Sequence, residues 1–291
     1  MTITTNIRET NMKRFAAIVA SGLLALFAGP AVAKDWKHIT VVTEGAFAPW
    51  NFIAPDGTIE GFDVDLSRDL CARMKIECTV VAQNWDGIIP GLQVGKYDAI
   101  MAAMSATAER EKVISFTQPY GSTGQTFAVL KDGPLADLPF QGEMFNLAKD
   151  PEGANKAIEA LRPLFKGKTI GVQGAAVAAK FLAEKFGDDI TIREYKTTEQ
   201  HDLDLLAGRL DAVMAGPPYL MKAVKDPANA NMKMAGPRFL GGLLGAGSSI
   251  GIRKEDNDLR EMFNKALSEA KADGTTKRLS EKWFGFDVTV Y

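Results

Sequence analysis

GKYDAIMA at residues 95–102 returns as GRLDAVMA at residues 208–215, with five of the eight positions identical and Lys96/Arg209 and Ile100/Val213 conservative. Reading backwards from each copy gives the same series. Short β-branched runs at 39–43, 78–82 and 97–101 alternate with helical patterns at 64–74 and 85–94. Runs at 169–172, 190–195 and 210–214 alternate with helical patterns at 175–186 and 199–207. Strands separated by helices are the mark of βαβ units and parallel sheets. A repeated series predicts two lobes of like topology rather than one continuous sheet, a chance match of eight residues being the competing account.

Length and composition agree with two units. The chain has 291 residues, 46% hydrophobic and 24% charged, against about 150 residues for an average domain. That balance excludes both a disordered chain and a membrane bundle. The connection over 130–168 carries proline and glycine at first and a helical pattern at 154–161. A strand at 249–252 and two last helices at 257–272 and 275–284 are expected to return to the first lobe. The expected division is lobe 1 at 34–124 plus 249–291 and lobe 2 at 125–248. The crossing strands near 125–130 and 248–252 are expected to hinge.

The first 33 residues read as a signal peptide. Lys13 and Arg14 precede an apolar run from Phe15 to Phe27, and Ala31-Val32-Ala33 supplies the small-residue cleavage pattern. Met12 is a second candidate start. The run is broken by Ser21 and Gly22 and falls short of the roughly 20 apolar residues of a membrane anchor, the alternative reading. Cleavage removes Arg8, Lys13, Arg14 and Glu9 and moves the formal net charge from −2 to −4. A mildly acidic product lacks the basic footprint of a nucleic-acid binder.

Export also bears on Cys71 and Cys78, the only cysteines. In an oxidising compartment this pair is a disulfide candidate. A metal site is the weaker reading, because the only histidines, His38 and His201, lie far apart in sequence and structural zinc takes four ligands.

Ligands of open α/β sheets bind beyond the carboxyl ends of strands, which directs attention to the residues after 42, 101, 172 and 214. Thr107 can cap a helix, and Arg110 then falls in its first turn, where the macrodipole disfavours a cation unless an anion joins it. A guanidinium grips a carboxylate by two parallel bonds, so Arg110 is a candidate carboxylate anchor; a surface salt bridge to Glu109 or Glu111 is the alternative. Trp85 and Phe47 follow two strands, with Glu44 close by in sequence. Two aromatics and an acid suit a flat cation, although core packing is the commoner fate of aromatics. At Gln173-Gly174-Ala175 a strand turns tightly into a helix, and glycine there allows close backbone approach to an anion. The Gly-x-x-x-x-Gly-Lys-Ser/Thr phosphate loop is absent.

The segments EGAFAPWNF, GFDVDL, CARMKIEC, NWDGIIPGL, YDAIMAAMSATAERE, FTQPY, IGVQG, AGRLDAV and DGTTKRLSEKWFG resemble the amino-acid-binding periplasmic proteins of polar amino acid ABC transporters, the lysine/arginine/ornithine and histidine group. The resemblance covers essentially all of the chain after the leader. It implies a type II periplasmic binding protein: two α/β lobes, each a mixed sheet flanked by helices, joined by two hinge strands. Within the group, WNF, NWDGI, MAAMS and GPRFLGGLLG look closest to the octopine- and nopaline-binding proteins. By motif, Arg110 matches the residue that clamps the substrate carboxylate, and Ser105 and the Ala103 backbone match its neighbours. Trp85 and Phe47 match the aromatic walls, Glu44 matches the acid that meets the distal cation, and Cys71 and Cys78 fit the group's disulfide.

Two departures stand out. The aspartate that usually holds an α-ammonium a few residues after GRLDA is Gly216 here, and the usual Gly-Ser-Thr after the second-lobe strand is Gly174-Ala175-Ala176. Both fit a substrate whose α-nitrogen is substituted. The expected function is therefore the periplasmic component of an ABC importer that binds an arginine-derived opine, delivers it to inner-membrane permease subunits, works as a monomer and needs no cofactor or metal. A carrier of arginine, ornithine or lysine is the alternative. An enzyme, a dehydratase using Glu44, is a further rival, but general acid–base chemistry wants a second positioned group, and no histidine, cysteine or serine–base pair falls at these strand ends.

Overall fold

The computed structural model describes residues 34–290; the expected leader at 1–33 lies outside the described residues. In one sheet, strands Glu77–Ala82, His38–Thr43 and Ala99–Ile100 lie side by side in parallel. Gly251–Ile252 runs antiparallel beside Ala99–Ile100 and carries Ser115–Phe116 on its far edge. In the other sheet, Thr191–Tyr195, Thr169–Gln173 and Ala212–Ala215 form the matching parallel triplet. Gln125–Leu130 joins it antiparallel, followed by Met232–Leu240 and Met144–Asn146. A small three-stranded sheet, Ala46–Phe47, Asn51–Ile53 and Ile59–Glu60, adjoins the first.

The repeated octapeptide has one mechanical cause in both lobes. The Asp98 N–H donates to the Thr40 carbonyl at 2.9 Å, and the Asp98 carboxylate accepts from the Thr40 N–H at 2.9 Å. Asp211 makes the same two bonds to Thr169, at 2.9 and 2.8 Å. Gly95 and Gly208 turn the chain into each aspartate with φ of 74° and 69°, which glycine adopts without a Cβ clash. The motif thus pins the start of each lobe's third strand to its first.

Each sheet is buried on both faces, as parallel strands require. Ile39 and Val41 point into a core shared with Trp50, Phe62, Leu66 and Phe263, while Val42 joins Ile88, Leu92 and Ile100 on the opposite face. Across the other sheet, Ile170, Val172 and Met214 meet Phe165, Phe181 and Phe239, and Val213 and Ala215 meet Leu205 and Leu220. The Cys71–Cys78 disulfide ties the end of helix Phe62–Met74 to strand Glu77–Ala82.

Several local expectations change. The helix expected after Thr107 is a three-residue 3₁₀ turn, Arg110–Lys112. Thr107 Oγ1 does accept from the Arg110 N–H, at 3.3 Å, but one turn has little macrodipole, so the dipole argument for Arg110 lapses. The 85–94 helix divides into a 3₁₀ turn, Trp85–Gly87, and helix Ile88–Gln93. Helix Pro151–Phe165 is longer than the expected 154–161, because Asp150 caps it by accepting from the Gly153 N–H at 3.0 Å and Pro151 opens it. Helices Asn257–Ala272 and Thr275–Phe284 lie where expected.

The chain passes from the first sheet to the second through residues 117–124 and returns through 241–250, with an antiparallel bridge between Gly121 and Ser248. Strand Gln125–Leu130, where a hinge is expected, is paired on both edges.

Asp98→Ala is expected to cost more than Asp211→Ala. Both strip a backbone N–H of its acceptor and break an ion pair, but the partner of Asp98 is the buried Arg253 at 2.8 Å, whereas that of Asp211 is the half-buried Lys168 at 3.1 Å. Urea unfolding should show a loss of about 2–4 kcal/mol for Asp98→Ala against about 1–2 for Asp211→Ala.

Candidate functional site

The carboxyl ends of both parallel triplets open into one crevice. One chamber is lined by Glu44, Phe47, Trp85, Arg110, Gln173 and Thr198 among others. A second is lined by Ser122, Thr123, Gly124, Gly241, Gly245, Gly247 and Ser248 among others, with no charged side chain. Phe47, Ala103, Ser105, Gln125 and Gly216 border both.

Glu44 follows strand His38–Thr43 and is 8% exposed. Its carboxylate accepts from Gln173 Nε2, which also donates to the Lys196 carbonyl at 3.1 Å. Burial pushes the Glu44 carboxyl up to about 7; the Gln173 bond pulls it back, and the Glu199 charge adds to the rise.

Arg110 hangs over the same chamber. Its Nη1 donates to the Ser105 carbonyl at 3.0 Å and its Nη2 to the Ala175 carbonyl at 3.1 Å. The guanidinium carbon lies 5.2 Å from the centroid of the Trp85 ring. Desolvation lowers its pKa to about 10, with Glu109 acting against that fall. The alternative of a surface salt bridge finds no support: Glu109 pairs with Lys180, and among the described residues no acidic side chain pairs with Arg110. It is a desolvated cation held only by carbonyl oxygens and an indole face.

Phe47 stacks on Tyr219 with centroids 5.4 Å apart and planes 9° from parallel. Ala103 sits in the left-handed region at φ 50°; its N–H donates to the Tyr120 hydroxyl at 3.1 Å and its carbonyl accepts from Ser248 Oγ at 3.2 Å. Gly216 forms the wall facing Phe47, and a Cβ there would lie 3.3 Å from the Phe47 ring.

Gly174 and Ala175 do not line the chamber; Ala176, Val177 and Ala178 do. The Gly174 N–H donates to the Tyr195 carbonyl at 2.9 Å, so it is not presented to an anion. Ala175 contributes its carbonyl to Arg110 instead. Gln125, Thr198, Ser122 and Thr123 are lining residues that the sequence reading missed. Thr198 had a visible signal, a Thr-Thr-Glu helix start just after a strand end; Gln125 had none, being read only as the start of a crossing strand. Among the described residues no three His, Cys, Asp or Glu side chains gather as metal ligands.

The two lobes meet across the crevice. Besides Glu44 with Gln173 and Arg110 with Ala175, Thr198 Oγ1 donates to the Ala46 carbonyl at 3.4 Å, and Lys180 pairs with Glu109 at the rim.

The sequence profile of the bacterial extracellular solute-binding proteins, family 3, matches residues 39–286. The chain belongs to that family. It is 43% identical to an octopine-binding periplasmic protein of Rhizobium meliloti, over 95% of this chain and 99% of that protein. It is 34% identical to an L-arginine-binding protein of Pseudomonas aeruginosa, over 95% of this chain and 98% of that one. Among solved structures, a periplasmic His/Glu/Gln/Arg/opine family-binding protein from Silicibacter pomeroyi in complex with lysine superposes with a TM-score of 0.70 at 34% identity, covering 87% of this chain and 100% of that one. The fold is the two-lobed α/β arrangement of type II binding proteins, and the protein is a solute-binding transport component rather than an enzyme.

A cation entering beside Glu44 needs the ionised carboxylate. Because burial pushes that carboxyl up to about 7, the form that would meet a cation is nearly complete by about pH 8 and is lost as the pH falls through 7. Affinity for a guanidinium-bearing solute, measured by calorimetry, should be constant between pH 8 and 9 and weaken by up to about tenfold per pH unit below 7.

Proposed function

We propose that this protein is the periplasmic component of an ABC uptake transporter and closes its lobes around an arginine-derived opine of the octopine or nopaline type. One observation carries the reading: Arg110, a desolvated cation without an acidic partner among the described residues, shares a chamber with Glu44, a buried acid. A molecule with a carboxylate for the first and a guanidinium for the second completes both, and Trp85 and Phe47 supply flat apolar walls for its stem. Ser105 and the Ala103 backbone support the carboxylate end, and Gln173 holds Glu44 in place. Gly216 supplies no charge for an α-ammonium and borders the second, uncharged chamber, toward which an N-substituent would point.

In this reading the lobes are residues 34–124 with 249–291, and 125–248. Residues 1–33 direct export and are removed. The protein acts as a monomer, offering one lobe to each permease half, and does not bind nucleic acid. Similarity to the Pseudomonas aeruginosa protein favours a second reading, uptake of arginine or its basic relatives, and Gly216 speaks against it.

Calorimetry with octopine, nopaline, arginine, ornithine and lysine separates the two. Saturable opine binding near the micromolar range, about −8 kcal/mol, with arginine at least about tenfold weaker, is expected; tighter arginine binding overturns the opine reading. Arg110→Ala should lower affinity by about 100-fold or more while the far-UV spectrum is unchanged. Gly216→Asp, whose Cβ asks the Phe47 ring to give by only a few tenths of an ångström, should shift preference toward free arginine.

A further inference from the structure

Behind the crevice runs a chain of buried polar groups, of which only the last, Ala103, lines it. The Gly45 N–H donates to Asn51 Oδ1 at 2.8 Å, and Asn51 Nδ2 donates to Asp63 Oδ2 at 2.8 Å. Tyr120 donates its hydroxyl to Asp63 Oδ1 at 2.8 Å and accepts from the Ala103 N–H at 3.1 Å. Asn51 and Tyr120 are fully buried, and Asp63 is 1% exposed. One end of the chain lies next to Glu44, and the other is Ala103, on the segment that leads through Ser105 to Arg110.

We infer that Asn51, Asp63 and Tyr120 are positioning residues that fix the cation-recognising segment and the carboxylate-recognising segment of the crevice at a set spacing. Asp63 is the fixed point. Its own N–H donates to the Trp50 carbonyl at 2.8 Å at the start of helix Phe62–Met74. The preceding Gly61 has φ 125°, and a Cβ there would lie 2.3 Å from the Trp50 carbonyl oxygen. Both carboxylate oxygens accept a bond, one from each arm; burial pushes this carboxyl up to about 7, the two bonds pull it back, and no water competes for either oxygen. The arms end on backbone N–H groups of residues in unusual conformations, Gly45 at φ 80° and Ala103 at φ 50°. A left-handed alanine persists only where its surroundings hold it, and here the Tyr120 hydroxyl and Ser248 Oγ bond its N–H and its carbonyl.

The inference rests on the crevice being the solute site, yet amide exchange tests it without any solute. Tyr120→Phe retains the ring that packs on Trp50 and Phe62 and removes only the hydroxyl. Residue-resolved exchange should show the Ala103 amide opening at least about tenfold faster while Gly45 is unchanged; Asn51→Ser should do the reverse. In parallel, Tyr120→Phe should weaken octopine or arginine binding about tenfold, with little effect on agmatine, which has the guanidinium but lacks the carboxylate. Exchange that rises evenly across the lobe, or parental exchange at both amides, overturns the inference. If the parent protein binds none of these probes, the ligand reading fails, while the exchange pattern still decides whether the chain of bonds holds the two segments.

Discussion

A carboxylate and a guanidinium are both withdrawn from water in one crevice, and they do not pair with each other. Each costs free energy on desolvation, and what the protein returns is partial: an amide and carbonyl bond for the Glu44–Gln173 pair, two carbonyls and an indole for Arg110. The remaining arrangement of the molecule follows from keeping two such groups near but apart. Strand ends set their places, and the buried Asn51–Asp63–Tyr120 chain holds the segments that carry them. Selectivity for a solute then comes less from apolar area than from the penalty of leaving either charge unanswered.

The fold was largely legible because its cause is local and repeated. Asp98 and Asp211 fix the third strand of each triplet through the same two bonds, so an eight-residue echo carried information about topology as well as about strand type. The disulfide was legible from compartment and spacing. What was not legible depended on single turns. Arg110 follows a helix-start pattern in the sequence and lies in a 3₁₀ turn in the structure; that its guanidinium has no acidic partner among the described residues is a property no periodicity reports.

The site was legible on its first wall and poorly so on its second. Glu44, Phe47, Trp85, Ser105 and Arg110 follow strand ends of one sheet, where position in sequence and position in the crevice coincide. On the other lobe, Gly174 directs its N–H to a neighbouring strand and Ala175 turns its carbonyl to Arg110. The lining there passes to Ala176, Val177 and Ala178. Gln125 and the glycine-rich second chamber come from the crossing segments, which bring residues distant in sequence together through tertiary contact alone.

The order of strands in the two sheets bears on how the molecule comes into being. Every strand of the six-stranded sheet lies between residues 125 and 240, so that lobe has all its parts once those residues have been synthesised. The five-stranded sheet does not. Gly251–Ile252 stands between Ala99–Ile100 and Ser115–Phe116, so the strand that joins its two earlier pieces is synthesised last. The N-terminal lobe, which carries Glu44 and Arg110, must therefore wait for about the last seventh of the chain, and the lobe made second has the means to finish first. Sequence separation of this kind slows folding and lengthens the time an unfinished sheet edge stays exposed.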